Sequence, residues 1–330
     1  MTESPSVEQW AVVIPSFNRT ADAVACVHSV WNASPRPERI VLVDDASTDG
    51  AVQKIAAWAE GQGIPFQVEL EPDAVRVLRP GLTIIAASQN EGFTLASNKG
   101  LALVLDGTEA PYVLLLNNDA VVTESFFAEL AAVIGRHRDA GMVSGIIYEW
   151  DRTTLWYAGG RFNVMRALST HDTAPPGDDD MPRHTDWISG CTMLISREVL
   201  RRLGTLATCF SPCYSEDVDY SLRARAAGFE LFVAPRAVAY HRVGLTLGRP
   251  GRQRPEVIYV ANRNRAFVVR RNYAGLKRLA GLSYLAVTKP LRAAAEVLRG
   301  RPRAGWAIIA GTMDGLLNPA AAAPRAMRAL

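Results

Sequence analysis

The first 120 residues alternate between short apolar runs and longer segments whose apolar residues recur every three or four positions. The apolar runs predict buried strands, and the longer segments predict helices. The predicted strands lie within residues 10–17, 39–45, 79–88 and 112–119, with helices over 20–32, 48–60 and 94–105. Ser47 or Thr48 is the expected N-cap of the second helix. Apolar strands separated by helices indicate an α/β fold with a mostly parallel sheet and helices on both faces.

The second half of the chain has a less regular pattern. Residues 169–184 are polar and proline-rich, which predicts a loop. The other predicted elements are a strand and a helix within 187–204, a helix within 215–228 closed by Gly228, two short strands within 231–241, and helices from 263 onward that break at Pro290 and Pro302. We therefore expect two parts: an α/β domain over 1–245 and a basic, mainly helical region over 246–330.

Polar side chains follow three of the predicted strands where each strand ends. These clusters are residues 16–19, the pair Asp44 and Asp45, and residues 117–119. A single such cluster is usually a turn, since Asn and Asp are good turn formers. In parallel sheets, however, ligands bind beyond the carboxyl ends of the strands. Three clusters at the same edge therefore predict a ligand site.

Composition and charge narrow the class of protein. The chain has 330 residues, of which 48% are hydrophobic and 21% charged, which is typical of a globular protein. The first nine residues do not resemble a signal peptide, so a cytoplasmic protein without disulfides is expected. Cys209 and Cys213 have the spacing of a metal-binding pair, but no second Cys or His pair lies near them in the sequence. No apolar stretch is long enough to predict a membrane-spanning helix.

The positive charge is concentrated near the C-terminus. Residues 263–303 contain eleven Lys or Arg and one acid, whereas the whole chain carries +3, so the remainder is acidic. A basic segment on an acidic body predicts an anionic partner. Nucleic acid is disfavoured because no nucleic-acid-binding motif is present. The basic residues are mixed with Leu, Val, Ala and Tyr, which favours an anionic membrane surface, with packing on the α/β domain or homodimer formation as the alternatives.

Several stretches, taken in order, resemble the motifs of family 2 glycosyltransferases with the GT-A fold. They are VVIPSFNR, VLVDDASTDG, NEGFTLASNKGL, LLLNNDAVV, SGCTMLISREVL and SEDVDYSLRARAAG. The resemblance covers about residues 10–245. Together with the late YH and the stretch RNRAFVVRRN, the chain is most similar to bacterial rhamnosyltransferases that act on lipid-linked glycans.

The resemblance implies where the two substrates bind. The residues implied for the nucleotide-sugar donor are Pro15, Asn18, Arg19, Asp44, Asp45, Asn90, Asn98, Asn117 and Asn118. Among these, Asp44 and Asp45 could accept a hydrogen bond from a pyrimidine N3–H, a buried contact that discriminates strongly. Trp187 and Gly190 are implied for the acceptor, where Trp187 either stacks on a sugar ring or is a core residue.

The resemblance also implies a divalent metal, Mg²⁺ or Mn²⁺. Both ions prefer oxygen ligands and often bridge a carboxylate to phosphate oxygens. Asp119 is the expected ligand, and His241, which follows a predicted strand, completes the metal shell in relatives that have a histidine there. Asn117 stands where the family often has an acid, so metal binding should depend on the donor diphosphate.

The expected reaction needs a base, because an acceptor hydroxyl is a poor nucleophile. Glu216 and Asp217 match the family's ED pair, in which Asp217 is the implied catalytic base. The resemblance therefore predicts an inverting glycosyltransferase. Its best-matching donor is dTDP-rhamnose, with UDP-sugars open, and its acceptor is a glycan or a polyprenyl-diphosphate-linked glycan at the inner membrane face. The alternatives are a sugar-phosphate nucleotidyltransferase, although IPSFNRTAD lacks that class's glycines, and an inactive nucleotide-sugar-binding scaffold.

Overall fold

The computed structural model describes residues 6–71, 78–174, 181–244 and 253–318. The strands are β1 (Ala11–Ser16), β2 (Arg39–Asp44), β3 (Phe66–Leu70), β4 (Gly81–Ala86), β5 (Tyr112–Leu116), β6 (Ala120–Val122), β7 (Ala140–Glu149), β8 (Leu155–Tyr157), β9 (Gly160–Asn163), β10 (Leu168–His171), β11 (Arg183–His184), β12 (Thr192–Ser196) and β13 (Glu230–His241). The helices are α1 (Thr20–Trp31), α2 (Ala51–Gly61), α3 (Phe93–Gly107), α4 (Phe126–Arg136), α5 (Arg197–Leu203), α6 (Glu216–Ala226), α7 (Pro255–Asn272), α8 (Gly275–Leu298) and α9 (Pro302–Leu317).

Within the described residues, one large sheet of eleven strands forms the centre of the molecule. Its main path runs β11-β13-β7-β12-β5-β1-β2-β4-β3, with β6 paired to β13 and β8 to β7. Strands β5, β1, β2, β4 and β3 are parallel to one another, and β12 inserts antiparallel between β5 and β7. The mostly parallel α/β sheet predicted from the sequence is confirmed, with antiparallel pairs added on the β12 side.

The two faces of the sheet are covered by different helices. Along β1, Val12 and Ile14 face one core, which α1, α2 and α4 complete, whereas Ala11 and Val13 face a second core formed with α3, α5 and α6. Side chains alternate along a strand, so a strand buried on both faces is apolar at every position. This explains why the predicted strands read as uninterrupted apolar runs.

Several predicted elements differ in the structure. The edge strand β3 was not predicted, and the sequence 231–241 forms one strand, β13, with an irregularity between Ala234 and Val238, rather than two. Helix α2 begins after Gly50, which adopts φ +76°, so neither Ser47 nor Thr48 is its N-cap. The predicted loop 169–184 contains part of β10 and all of β11, while residues 175–180 lie outside the described part.

The C-terminal region is helical as predicted, but its breaks differ. Pro290 lies inside the continuous helix α8, whereas Pro302 occupies the first turn of α9, where its missing N–H costs no hydrogen bond. Helices α7, α8 and α9 pack on one another, and α7 also contacts α6 of the α/β part. Among the described residues, no helix combines the length and apolar character needed to cross a bilayer.

Candidate active site

The loops that follow β1, β2 and β5 are joined by side-chain hydrogen bonds. The Asn18 backbone N–H donates to Ser47 Oγ at 2.7 Å, and Asn18 Oδ1 accepts from the Thr48 N–H at 2.9 Å. Asn118 Nδ2 donates to Ser16 Oγ at 3.1 Å. Three of the predicted polar residues therefore meet at one edge of the sheet, where Asn18 and Asn118 hold the loops together.

The two neighbouring carboxylates at the end of β2 have different surroundings. Asp45 is buried and accepts backbone N–H groups from Glu91, at 3.0 Å, and Gly92, at 2.7 Å, so it fixes the segment that leads into α3. Asp44 accepts from the Ser47 N–H with one oxygen, but its buried Oδ1 has no partner among the described residues. Burial raises the pKa of both carboxyl groups. Asp44 is therefore the one with an oxygen left for a ligand.

Other residues predicted for the donor have structural contacts. Both ends of the Asn98 amide are bonded to the Leu206 backbone, at 2.8 and 2.9 Å, so this residue anchors the chain after α5 to α3. Arg19 pairs with Asp22 at 2.8 Å in the first turn of α1. Pro15 is buried within β1, which continues to Ser16.

Asn90 and Asn117 remain near the sheet edge. Asn90 Nδ2 donates to the backbone oxygen of Asp45 at 3.2 Å, and Asn90 is exposed. The Asn117 backbone N–H donates to the Cys191 carbonyl at 3.0 Å, and its side-chain Oδ1 is buried without a hydrogen-bond partner in the described structure. A buried amide oxygen without a partner is costly, so this atom is available for a ligand.

Asp119 and His241 come together from distant parts of the sequence. Asp119 follows β5 directly before β6, and β6 pairs with the end of β13 so that Ala120 lies opposite His241. His241 Nε2 is 3.0 Å from Asp119 Oδ1, and both residues are buried. Burial alone lowers the pKa of His241, but the Cys191 sulfur and the Asp119 carboxylate together raise it to about 10.

These residues fit a divalent metal that a second molecule helps to bind. Adjacent ligands of an octahedral Mg²⁺, at bond lengths of 2.0–2.1 Å, are about 3 Å apart, and Asp119 and His241 have that separation. His241 Nδ1 and Asn117 Oδ1 are buried and have no hydrogen-bond partner within the described residues. No group of three or more His, Cys, Asp or Glu that could hold an ion occurs in the part of the chain that the structure describes. The remaining ligands would come from water or from a bound substrate.

Glu216 and Asp217 are the first two residues of helix α6. Asp217 Oδ2 accepts the Gly190 N–H at 3.0 Å and Oδ1 accepts the Val218 N–H at 2.8 Å, which fixes the carboxylate. Glu216 is buried, and its Oε2 has no partner in the described residues. Burial raises the pKa of both groups, and the charge of Asp217 raises that of Glu216 further, well above its usual range. The two N–H groups stabilise the charged form of Asp217, whereas Glu216 Oε2 has no such donor among the described residues.

Helix α7 holds the loop that precedes this pair, a role that sequence reasoning missed. Asn264 is fully buried, and its Nδ2 donates to the carbonyls of Phe210, Cys213 and Tyr214 at 3.3, 2.9 and 2.7 Å. Arg263 donates to the carbonyl of Ser211 at 2.9 Å. The stretch RNRAFVVRRN contains both residues, but their partners are far away in the sequence.

A buried carboxylate joins α6 to α7 in the same region. Asp219 is 0% exposed and accepts from Arg223 at 2.8 Å, from Arg271 at 3.0 Å and from Asn272 at 2.8 Å. These three partners of Asp219 are side chains, whereas the two partners given above for Asp217 are backbone N–H groups. The start of α6 is therefore fixed by hydrogen bonds from α7.

The residues predicted for the acceptor make internal contacts. Trp187 is only 4% exposed, its indole N–H donates to the Arg161 carbonyl at 3.3 Å, and its ring contacts Tyr157, which agrees with the core alternative for this residue. Gly190 acts through its N–H bond to Asp217. Trp156, which the sequence analysis missed, places its ring 4.9 Å from that of His241 and is partly exposed.

The fold and this cluster define an α/β protein of the GT-A type, with paired carboxylate and histidine groups at the carboxyl edge of its sheet. The chain belongs to glycosyl transferase family 2, whose model matches residues 11–204. A second model, glycosyl transferase family group 2, matches residues 112–316 and so extends into the C-terminal helices. The family resemblance found in the motifs is confirmed.

Curated relatives carry glycosyltransferase names. The chain is 25% identical over 146 residues to the glycosyltransferase GlyG of Streptococcus pneumoniae, covering 44% of this chain and 41% of that protein. It is 27% identical over 163 residues to a PGL/p-HBAD biosynthesis glycosyltransferase of Mycobacterium bovis, covering 48% of this chain and 54% of that protein. The matched regions span about half the length of these relatives.

Solved structures share the fold. GalNAc-T7 with UDP, GalNAc and Mn²⁺ superposes with a TM-score of 0.60 at 17% identity, over 79% of this chain and 47% of that chain. The mannosyltransferase PcManGT from Pyrobaculum calidifontis, in complex with GDP-Man and Mn²⁺, has a TM-score of 0.54 at 16% identity, over 94% of this chain and 87% of that chain. At these identities the similarity establishes the fold.

Proposed function

We propose that this protein is an inverting, metal-dependent glycosyltransferase that moves a sugar from a nucleotide diphosphate to an acceptor hydroxyl. The observation that carries the proposal is the contact between Asp119 and His241 at the carboxyl edge of the sheet, 3.0 Å apart and buried. Two metal ligands at the position where α/β sheets bind substrates suit a diphosphate leaving group. The metal assignment is supported by the Mn²⁺ that accompanies UDP and GalNAc in one structural relative and GDP-Man in the other.

Asp44 is the proposed contact to the base of the donor. Its Oδ1, which has no partner in the described parts of the chain, is buried at the end of β2, where it can accept a pyrimidine N3–H. Uracil and thymine both present this group, so Asp44 suits a UDP- or dTDP-sugar. We propose dTDP-rhamnose as the donor on the strength of the motif resemblance. Asp45, whose oxygens are both occupied, positions the adjoining loop.

Asp217 is the proposed catalytic base. Its carboxylate is fixed by the N–H groups of Gly190 and Val218, and burial raises its pKa towards the range in which it can accept a proton as the acceptor oxygen attacks. Burial and the charge of Asp217 raise the pKa of Glu216 well above its usual range, which favours the protonated form of Glu216 beside that carboxylate. The metal, when bound, neutralises the charge that develops on the leaving diphosphate.

The C-terminal helices support the proposal of peripheral binding at the inner membrane face. The sequence predicted attraction through positive charge, whereas the structure adds an exposed apolar surface. Seven of the eleven basic residues in 263–303 make hydrogen bonds or ion pairs inside the protein. The outer face of α8 is instead apolar: Leu276 is 84%, Leu291 70% and Leu298 88% exposed, and Trp306 of α9 is 72% exposed. Such a face suits the interfacial region of a bilayer, with the remaining basic residues adding about 1 kcal/mol each.

Vesicle sedimentation tests this membrane proposal. Wild-type protein should bind vesicles that contain anionic lipid and should lose only part of that binding at high salt, because apolar contacts are not screened. Replacing Leu291 and Trp306 with Ser should release the protein at both salt concentrations. If binding is absent, or if the double variant changes a dimer to a monomer without affecting vesicles, the apolar face is a packing or homodimer surface.

Donor specificity and activity are tested with the purified protein. A panel of nucleotide sugars is scored by melting-temperature shift with Mg²⁺, with Mn²⁺ and with EDTA, and positive donors are tested for hydrolysis and transfer. A shift with dTDP-rhamnose that needs the metal, together with slow hydrolysis, is expected. Binding without any turnover would instead support an inactive scaffold, and exchange of label between a nucleoside triphosphate and a sugar phosphate would support a nucleotidyltransferase.

A further inference from the structure

A cleft lined by several charged side chains lies between the C-terminal helices. It has a volume of about 190 Å³ and is formed by residues of α7, α8 and α9. Its polar lining includes Asn262, Arg265, Lys289, Arg292, Glu296 and Arg301. None of these residues belongs to the cluster at the sheet edge.

The lining of this cleft carries four cations and one carboxylate. That carboxylate, Glu296, already pairs with Arg299 at 3.2 Å and with Arg301 at 3.1 Å. Arg265 donates to the backbone carbonyl of Ala167 at 2.7 Å, and this bond leaves its charge uncompensated. The cleft therefore has an excess of positive charge.

Lys289 is the most unusual of these cations because it is buried, with 5% of its surface exposed. Its Nζ donates to Asn262 Oδ1 at 2.5 Å, and within the described residues no carboxylate lies within ion-pair distance of it. Burial first, and then the neighbouring Arg265 and Arg292, lower its pKa to about 7. A buried cation beside two others is unfavourable for the folded chain alone and would be compensated by a bound anion.

The cleft is also connected to the loop that precedes the proposed base. Gln253 lines the cleft, and its Nε2 donates to the Tyr214 hydroxyl at 3.0 Å. Tyr214 and Ser215, directly before Glu216, both have positive φ, at 78° and 68°, a conformation that non-glycine residues rarely adopt. An anion in the cleft would therefore lie one hydrogen-bonded side chain away from the loop that carries the catalytic pair.

We propose that this cleft binds a phosphate or diphosphate group carried by a membrane lipid. The same helix, α8, contributes Lys289 and Arg292 to the cleft and the exposed leucines to its outer face, so one helix contacts both parts of such a molecule. Either a lipid-linked acceptor or an anionic phospholipid presents this chemistry. Its use by the acceptor rests on the proposed function, whereas the anion site itself does not.

Anion binding is measured first, independently of activity. Inorganic pyrophosphate is titrated calorimetrically in EDTA, which suppresses metal-dependent binding at the sheet edge. Lys289→Gln and Arg292→Gln each remove a cation from the cleft, and Lys277→Gln removes one from an exposed position of the same helix. We expect each cleft variant to weaken binding by about tenfold or more, and the control to leave it unchanged. Equal affinity of all four proteins overturns the proposal.

Two further measurements distinguish the two possible carriers of the phosphate, an anionic phospholipid and a lipid-linked acceptor. Binding to phosphatidylcholine vesicles with and without phosphatidylglycerol tests the phospholipid, and binding to a polyprenyl diphosphate in the same vesicles tests the acceptor anchor. For the acceptor, the cleft variants should raise the KM for a diphosphate-linked glycan about tenfold, with the KM for the same glycan without its diphosphate unchanged. Donor hydrolysis should be equal in all variants. Absence of hydrolysis in the wild type would count against the proposed function while leaving the pyrophosphate result to decide on the cleft.

Discussion

Asn264 offers a direct test of whether α7 positions Glu216 and Asp217, the proposed catalytic pair. Asn264→Asp keeps the size of the side chain and the oxygen that accepts from Arg263 Nε at 2.9 Å, but it replaces the nitrogen that donates to three carbonyls. The two shorter bonds, to Cys213 and Tyr214, are the main loss. At about 1 kcal/mol for each lost bond, with a similar penalty for each buried carbonyl left unsatisfied, the change should destabilise the protein by about 2–5 kcal/mol.

The effect on catalysis should exceed what this destabilisation explains. Tyr214 lies three positions before Asp217, and a displacement of about 1 Å in a catalytic group costs on the order of a hundredfold in rate. We expect kcat to fall by about that factor at a temperature where the variant is fully folded, with donor affinity unchanged, because Asp44 and Asp119 belong to other elements.

The assay is steady-state transfer combined with donor titration and a melting curve. Asn163→Asp is the matched control, since Asn163 uses its side-chain oxygen to accept from the Arg166 N–H and an aspartate would preserve that bond. A variant Asn264→Asp that is folded and retains near wild-type kcat would show that α7 does not position the base.

Three further predictions concern single side chains. Asp217→Asn should lower turnover by on the order of a hundredfold or more with donor binding retained; near wild-type turnover would remove Asp217 from the role of base. Asp119→Ala should abolish the metal-dependent melting shift caused by the donor, as EDTA should, and His241→Ala should weaken it less; full activity in EDTA would refute the metal assignment. Lys289→Met should stabilise the ligand-free protein by a few kcal/mol below pH 7. The pKa of Lys289 is about 7 in the folded protein against 10.5 normally, so the wild type gains stability as pH rises through this interval and the advantage of the variant should shrink; an advantage that stays constant with pH would contradict the reasoning.

The strands of the active-site edge could be predicted because their signal is local. Strands β1, β2 and β5 are buried on both faces, and each is followed directly by polar residues. In contrast, β3 alternates between exposed and half-buried positions at the edge of the sheet, so it lacks the apolar run that identified the others. Pro290 was expected to end a helix, but it is exposed on the outer face of α8, where solvent can satisfy the carbonyl that loses its N–H partner.

The roles of individual side chains were harder to predict, because their partners lie far away in the sequence. Nothing near Asn98 indicates that Leu206 occupies both ends of its amide, and nothing near Trp187 indicates a bond to Arg161. The motifs correctly suggested which residues lie near the sheet edge, such as Asp44 and Asp119. Whether a residue's polar atoms were free or occupied depended on tertiary contacts.

The attachment of α7 to the loop before α6 has a consequence for building hybrid enzymes. An exchange of C-terminal regions between relatives at residue 245 would pair the Phe210–Tyr214 carbonyls of one protein with the α7 side chains of another. The hydrogen bonds from Arg263 and Asn264, and those from Arg271 and Asn272 to Asp219, all cross that junction. The smallest transferable unit around the start of α6 therefore comprises residues 209–226 together with 255–272, which are discontinuous in sequence and must be grafted as two segments.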